Sequence, residues 1–122
     1  MPQDFKKLDI WKESFDLGIE IYQNVIEKIP EWEKYGLRSQ LGRAVVSISC
    51  NIAEGTGKKT PRDFANFLYT SIGSAKEVEN LLMFINKLGY IPDTQYKELN
   101  TRLLNLGGKI MNFLKSVETK VE

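Results

Sequence analysis

The stretch Leu37-Arg38-Ser39-Gln40-Leu41-Gly42-Arg43-Ala44-Val45-Val46-Ser47-Ile48-Ser49-Cys50-Asn51-Ile52-Ala53-Glu54-Gly55-Thr56-Gly57 decides the fold. Leu37, Leu41, Ala44, Val45, Ile48 and Ile52 recur every three or four residues, which puts them on one face of a helix. A second row is polar: Gln40, Arg43, Ser47, Asn51 and Glu54 run along the flank of that apolar face. The pattern predicts a helix over about 34–54, stopped by Gly55-Thr56-Gly57 with a left-handed glycine turn.

Working outward, the same periodicity appears three more times. Trp11, Phe15, Ile19, Tyr22, Val25, Ile26 and Ile29 predict a helix over about 10–29, with Asp9 as its N-cap and Pro30 as its end. In that reading Ile10, Leu17 and Ile21 fall off the main stripe. Thr60-Pro61-Arg62-Asp63 opens a third helix, about 61–88. Its threonine caps, its proline occupies the first helical position and its acid sits in the first turn. Phe64, Phe67, Leu68, Ser71, Ile72, Ala75, Val78, Leu82 and Ile85 line its inner side, and Gly89 and Pro92 follow it. Tyr96, Leu99, Leu103, Leu106, Ile110, Phe113, Leu114 and Val117 predict a fourth helix over about 94–119. Gly107-Gly108 in its middle costs roughly 1 kcal/mol per glycine relative to alanine. Close helix packing is the favoured reason, a bend the other. Short connections make neighbours antiparallel. The expectation is therefore all-α: one domain, residues 1–122, folded as an up-down-up-down four-helix bundle.

Composition narrows the functions. The 122 residues are 42% hydrophobic and 27% charged, which suits an ordinary globular chain. No window approaches the ~18 consecutive apolar residues of a membrane span, and residues 1–7 lack the apolar core of a secretory signal. The absence of histidine excludes Ser-His-Asp and Cys-His catalysis and every His-based zinc site. Glu77 and Glu79 point apart on a helix, so they form no metal pair. No metal or cofactor is expected. Gly55-Thr56-Gly57-Lys58-Lys59-Thr60 lacks the full phosphate-loop pattern and follows a helix rather than a strand. The single cysteine, Cys50, fits a reducing cytoplasm and is read as incidental. An enzyme is not expected.

Charge is uneven although its total is only +1. Residues 1–32 carry four Lys against seven acids; residues 33–62 carry six Lys and Arg against two Glu. The positive segment makes Arg38, Lys58, Lys59 and Arg62 candidate phosphate contacts. The polar row has two readings, structural or binding. In the structural one Arg43 pairs with a third-helix carboxylate, Glu79 first and Glu77 second. Surplus apolar residues (Ile10, Leu17 and Ile21 on the first helix, Tyr69, Leu81, Met83 and Phe84 on the third, Leu104 and Met111 on the fourth) point to self-association.

One run carries a resemblance. Tyr35-Gly36-Leu37-Arg38-Ser39-Gln40-Leu41, Arg43-Ala44, Ser47-Ile48 and Asn51-Ile52-Ala53-Glu54-Gly55-x-Gly57-Lys58 resemble the bacterial four-helix-bundle family of 23S rRNA intervening-sequence proteins. Phe5-Lys6-Lys7-Leu8, Trp11 and Tyr22 fit before it; Phe64, Phe67-Leu68, Gly73-Ser74, Glu77, Glu79 and Leu88-Gly89-Tyr90-Ile91 fit after it. The resemblance implies small bundles assembling as rings of five, some encoded within insertions in 23S rRNA genes, with no established enzymatic activity. That family is similar to the accessory variability determinant of diversity-generating retroelements, a basic pentamer that works with a reverse transcriptase and RNA. This chain departs from the pattern at Gly42, where an arginine is frequent, at Ser49, where proline is, and at Lys58, where arginine is. The resulting expectation is a non-catalytic homo-oligomer, pentameric by resemblance, binding RNA or another nucleic acid at the basic patch. The alternative is a protein-interaction scaffold with no nucleic-acid role.

Overall fold

The computed structural model describes residues 3–121, and among them it contains helices and no strand. A 3-10 turn over Phe5–Lys7 leads into α1 (Asp9–Asn24). Two further 3-10 turns, Ile26–Lys28 and Glu31–Glu33, join α1 to α2 (Leu37–Thr56). Then come α3 (Pro61–Lys87) and α4 (Asp93–Glu118). No helix among the described residues is long and apolar enough to cross a membrane.

The helices pack as a four-helix bundle in which α1 meets α2 and α4, and α3 meets α2 and α4. Neighbours run antiparallel, as their side-chain contacts show. Lys109 reaches Glu13 while Arg102 reaches Glu20, so α4 descends as α1 ascends. The core is a continuous aliphatic stack in which Ile21, Leu41, Ile48, Ile52, Leu68, Leu82, Leu99, Leu106, Ile110 and Leu114 are fully buried. Burying each such side chain contributes about 1.5–3 kcal/mol.

The inward face of α1 is only partly the one its periodicity suggested: Val25 and Ile29 are buried and Trp11 and Ile26 pack against the core, but the stripe between Trp11 and Val25 is turned outward. Ile10, Ser14, Leu17 and Ile21 face the core, whereas Phe15, Ile19 and Tyr22 are 45%, 43% and 49% exposed. Both stripes are apolar, and the neighbours chose between them. Ser14 is buried on that flank with its hydroxyl donating to Trp11 O, and the half-buried Gly18 faces Val45 of α2.

Element ends moved for local reasons. α1 stops at Asn24 rather than Ile29, because Ile26–Lys28 winds into a 3-10 turn that keeps both Val25 and Ile29 buried. Ile29 is extended, as a residue before proline must be. Asp9 is the first helical residue and no side chain caps α1; Leu8 holds the cap position. α2 begins three residues later than expected, at Leu37, whose amide donates to Glu33 Oε1 at 3.3 Å. It also continues through Gly55 and Thr56. Gly57 ends it in right-handed geometry (φ −87), so the left-handed turn expected there is absent. Gly55 is needed for closeness instead: a Cβ would stand 2.7 Å from Phe64 Cδ1.

α3 starts as its sequence predicts, with Thr60 Oγ1 accepting from the Asp63 amide at 3.2 Å. It closes on Gly89 at φ +83, with Tyr90 N donating to Ile85 O and Gly89 N to Asn86 O, a Schellman-type ending. α4 runs unbroken through Gly107 and Gly108, and nothing lies within 4 Å of a Cβ built on either. Close packing within the protomer therefore does not account for them.

Candidate nucleic-acid interface

The antiparallel bundle sorts the candidate cations by end. Arg38 stands in the first turn of α2 and Lys58 just past its last, about 30 Å apart at ~1.5 Å per residue. Arg38 is engaged in the protein itself: Nε donates to Ile29 O at 2.7 Å and Nη2 to Glu27 O at 3.4 Å. These bonds tie the turns after α1 to the start of α2. Lys58, Lys59 and Arg62 stay together around the α2–α3 turn, and none forms an ion pair among the described residues.

Lys58 Nζ lies 4.8 Å from the Phe67 ring centroid, a cation–π contact that holds the half-buried lysine against α3. Lys120, beyond α4, joins them: it and Lys58 border one cavity of about 350 Å³. The amide of Gln3 donates to Thr56 O at 3.2 Å, which draws the N-terminal segment over the same end. Lys120 escaped the sequence reading because it belongs to a segment of zero net charge. Its only signal was topological, since α4 must end where α2 ends.

The polar row of α2 splits in two. Ser47 Oγ meets Ser74 Oγ at 2.7 Å, and Asn51 Nδ2 donates to Ser47 O and Oγ at 2.8 and 2.9 Å. Nearby, Ser71 Oγ donates to Ile48 O at 2.8 Å within the buried seam. Ser47 thus fastens α2 to α3, and Asn51 holds Ser47 from one turn further along α2. Gln40, Arg43 and Glu54 are exposed. The expected Arg43–Glu79 pair is absent. Arg43 Nη1 donates to Ser39 Oγ one turn back at 2.7 Å, and Glu79 meets Lys76 at 3.4 Å on its own helix. Each charge found a partner within its own helix, so no bridge across the seam forms. Gly42 lies beneath Tyr22, whose hydroxyl would stand 2.8 Å from a Cβ there.

Apolar surface remains outside the core in several places. Of the surplus residues on α3 and α4, Tyr69, Met83, Phe84 and Leu104 are about half exposed, whereas Leu81 is buried in the core. Phe15, Ile19 and Tyr22 of α1 and Val46 of α2 border a groove of about 520 Å³ with Trp11 stacked on Phe15 at 4.9 Å. At the end opposite the basic turn, Trp32 and Tyr35 are 77% and 88% exposed. Cys50 is a free, exposed thiol on the groove. Among the described residues no three His, Cys, Asp or Glu side chains gather to hold a metal. Two phenols are held protonated beyond their ordinary range. Tyr69 is raised by its hydrogen bond to Glu118, then by desolvation and that carboxylate's charge. Tyr90 is raised by desolvation, then by the charge of Glu33.

Residues 6–112 match the family described as 23S rRNA-intervening sequence protein. The fold is similar to a crystal structure of a protein of unknown function from the S23 ribosomal protein family of Bacteroides thetaiotaomicron, with a TM-score of 0.79. The two are 23% identical over 87% of this chain and 95% of that one. Comparison with curated proteins gave no match.

Proposed function

The chain belongs to the 23S rRNA-intervening sequence protein family, and from that premise we propose that it is a non-catalytic homo-oligomer that binds RNA through its basic end. The observation that carries this reading is the grouping of Lys58, Lys59 and Arg62 around the α2–α3 turn, unpaired among the described residues, with Lys120 beside them. Arg38 is left out of the interface, since its guanidinium is already committed to two carbonyls.

A cluster of lysines grips phosphate as point charges, which favours backbone contact over base readout. Assembly strengthens the effect, because each added protomer brings another basic end to the same strand. The exposed groove of Phe15, Ile19, Tyr22 and Val46 is the surface suited to that assembly, with five copies the number the resemblance implies. The chain would work in the cytoplasm, where the exposed Cys50 thiol stays reduced.

The test is fluorescence anisotropy of a labelled structured RNA over a salt series. Affinity should fall linearly in log–log with salt, and the slope bounds the number of phosphates neutralised. Lys58→Glu with Lys59→Glu should weaken binding and flatten the slope. No binding at low salt by an intact oligomer would overturn the reading. One observation favours a second reading, a protein-interaction scaffold: Trp32 and Tyr35, between α1 and α2 at the end opposite the basic turn, are 77% and 88% exposed.

A further inference from the structure

We propose that the cavity at the basic end takes one unpaired nucleotide of an RNA strand, its base against Phe113 and its phosphate between Lys58 and Lys120. This deepens the RNA-binding reading and rests on it.

The cavity, of about 350 Å³, lies where the α2–α3 turn, the first turns of α3 and the last turns of α4 meet. Its size falls at the lower end of small-ligand sites, about 300–1,000 Å³. Phe64 and Phe113 line it, with ring centroids 5.7 Å apart and planes at 63°. Phe64 is buried in the core, which fixes the position of the half-exposed Phe113. A base laid on Phe113 therefore meets a ring that is already placed.

Lys58 and Lys120 border the same space, so a cationic rim surrounds an aromatic floor. That pairing fits a group with a flat apolar face and an anionic edge, which is the chemistry of a nucleotide. Thr60 Oγ1 accepts from the Asp63 amide, leaving its own hydrogen free to donate toward a phosphate oxygen or a base edge. A base paired within a duplex cannot enter, because its face is stacked and its edge is engaged. The site thus selects single-stranded over duplex RNA, with little discrimination between bases, since every base has a π-face.

The experiment uses the full chain and two labelled, 5′-phosphorylated probes carrying equal numbers of phosphates: a 24-nucleotide oligouridylate and a blunt-ended RNA duplex of 12 base pairs. The oligouridylate should bind about tenfold or more tightly than the duplex, the scale of one base stacked on an aromatic ring. Phe113→Leu should abolish that preference while duplex affinity holds, and Lys120→Glu should weaken both probes. Equal affinity for the two probes, with Phe113→Leu changing neither, would overturn the nucleotide site and leave RNA binding standing. Failure of both probes to bind would bring down the RNA reading and this site with it. If Phe113→Leu unfolds the chain, a 4-thiouridine oligonucleotide cross-linked to the unmodified protein decides. Adducts on the peptide bearing Phe113 support the site, and adducts confined to other peptides overturn it.

Discussion

Ser47 and Ser74 hold their hydroxyl oxygens 2.7 Å apart across the α2–α3 seam, with the Asn51 amide donating to Ser47 Oγ at 2.9 Å. A polar triad in a mostly aliphatic seam is stabilising only while every member is satisfied. Ser74→Ala should cost about 1 kcal/mol, the net worth of a typical hydrogen bond. Ser47→Ala should cost somewhat more, because it also deprives Asn51 of one of its two acceptors. The double variant should cost less than the sum of the singles, since the two side chains share one bond. Arg43→Ala and Glu54→Gln, both at exposed positions, should stay within about 0.5 kcal/mol of the parent. Urea unfolding of the five variants checks this, and a strictly additive Ser47/Ser74 pair would refute the coupling.

Arg38 is a structural cation, in contrast to the lysines proposed to bind RNA. Its Nε bond to Ile29 O is 2.7 Å long and holds the 3-10 segment against α2. A lysine there keeps the charge but loses the planar fork that reaches two carbonyls. Arg38→Lys should therefore lower stability by about 1 kcal/mol. It should leave RNA affinity and its salt slope unchanged, unlike Lys58→Glu with Lys59→Glu. A parallel loss of affinity in Arg38→Lys would return Arg38 to the interface.

What the sequence could and could not disclose follows from which partners decide each feature. The inner faces of α3 and α4 were legible because each carries one dominant apolar stripe, and Leu68, Leu82, Leu99 and Ile110 are buried as their spacing requires. α1 was not, because it is apolar on two faces, and only the neighbouring helices determine which of them is covered. The Thr60 cap was legible because its partner, Asp63, is three residues away. Arg43 was misread because a charge beside an apolar face suggests a partner across the seam, while Ser39 lay one turn back. At the basic end, Lys58, Lys59 and Arg62 were visible as a run. Lys120 and the aromatic floor of the cavity came from distant segments that only the fold brings together.

The Tyr69–Glu118 hydrogen bond, 2.9 Å between α3 and the last turn of α4, should make an alkaline signature. The phenol's pKa is raised in the folded protein, chiefly by that bond, from an ordinary value of about 10. A folded pKa above the unfolded one contributes stability fully present below the unfolded value and lost as pH rises through the folded one. The melting-temperature gap between the parent and Tyr69→Phe should thus be constant from neutral pH to about pH 9. It should close above pH 10, as the unfolded phenol ionises first. A gap that persisted through strong alkali would assign the effect to ring packing instead.

Gly107 and Gly108 give a test of which surface mediates assembly. Both sit within an unbroken α4, with nothing inside 4 Å of an added Cβ. Alanine at either position should raise protomer stability by up to about 1 kcal/mol, by removing the backbone entropy that glycine loses in a helix. The same substitutions obstruct any second chain that needs the glycines for close approach. The proposed assembly surface is the α1–α2 groove, so Gly107→Ala with Gly108→Ala should raise the melting temperature and leave the mass in solution several times 14.0 kDa. Ile19→Lys, which puts a charge into the exposed groove without touching the core, should shift the mass toward that of one chain. Light scattering at micromolar concentration reads both. The opposite pattern, dissociation by the alanines and none by the lysine, would move the contact to α4 and leave the groove of Phe15 and Tyr22 free for another partner.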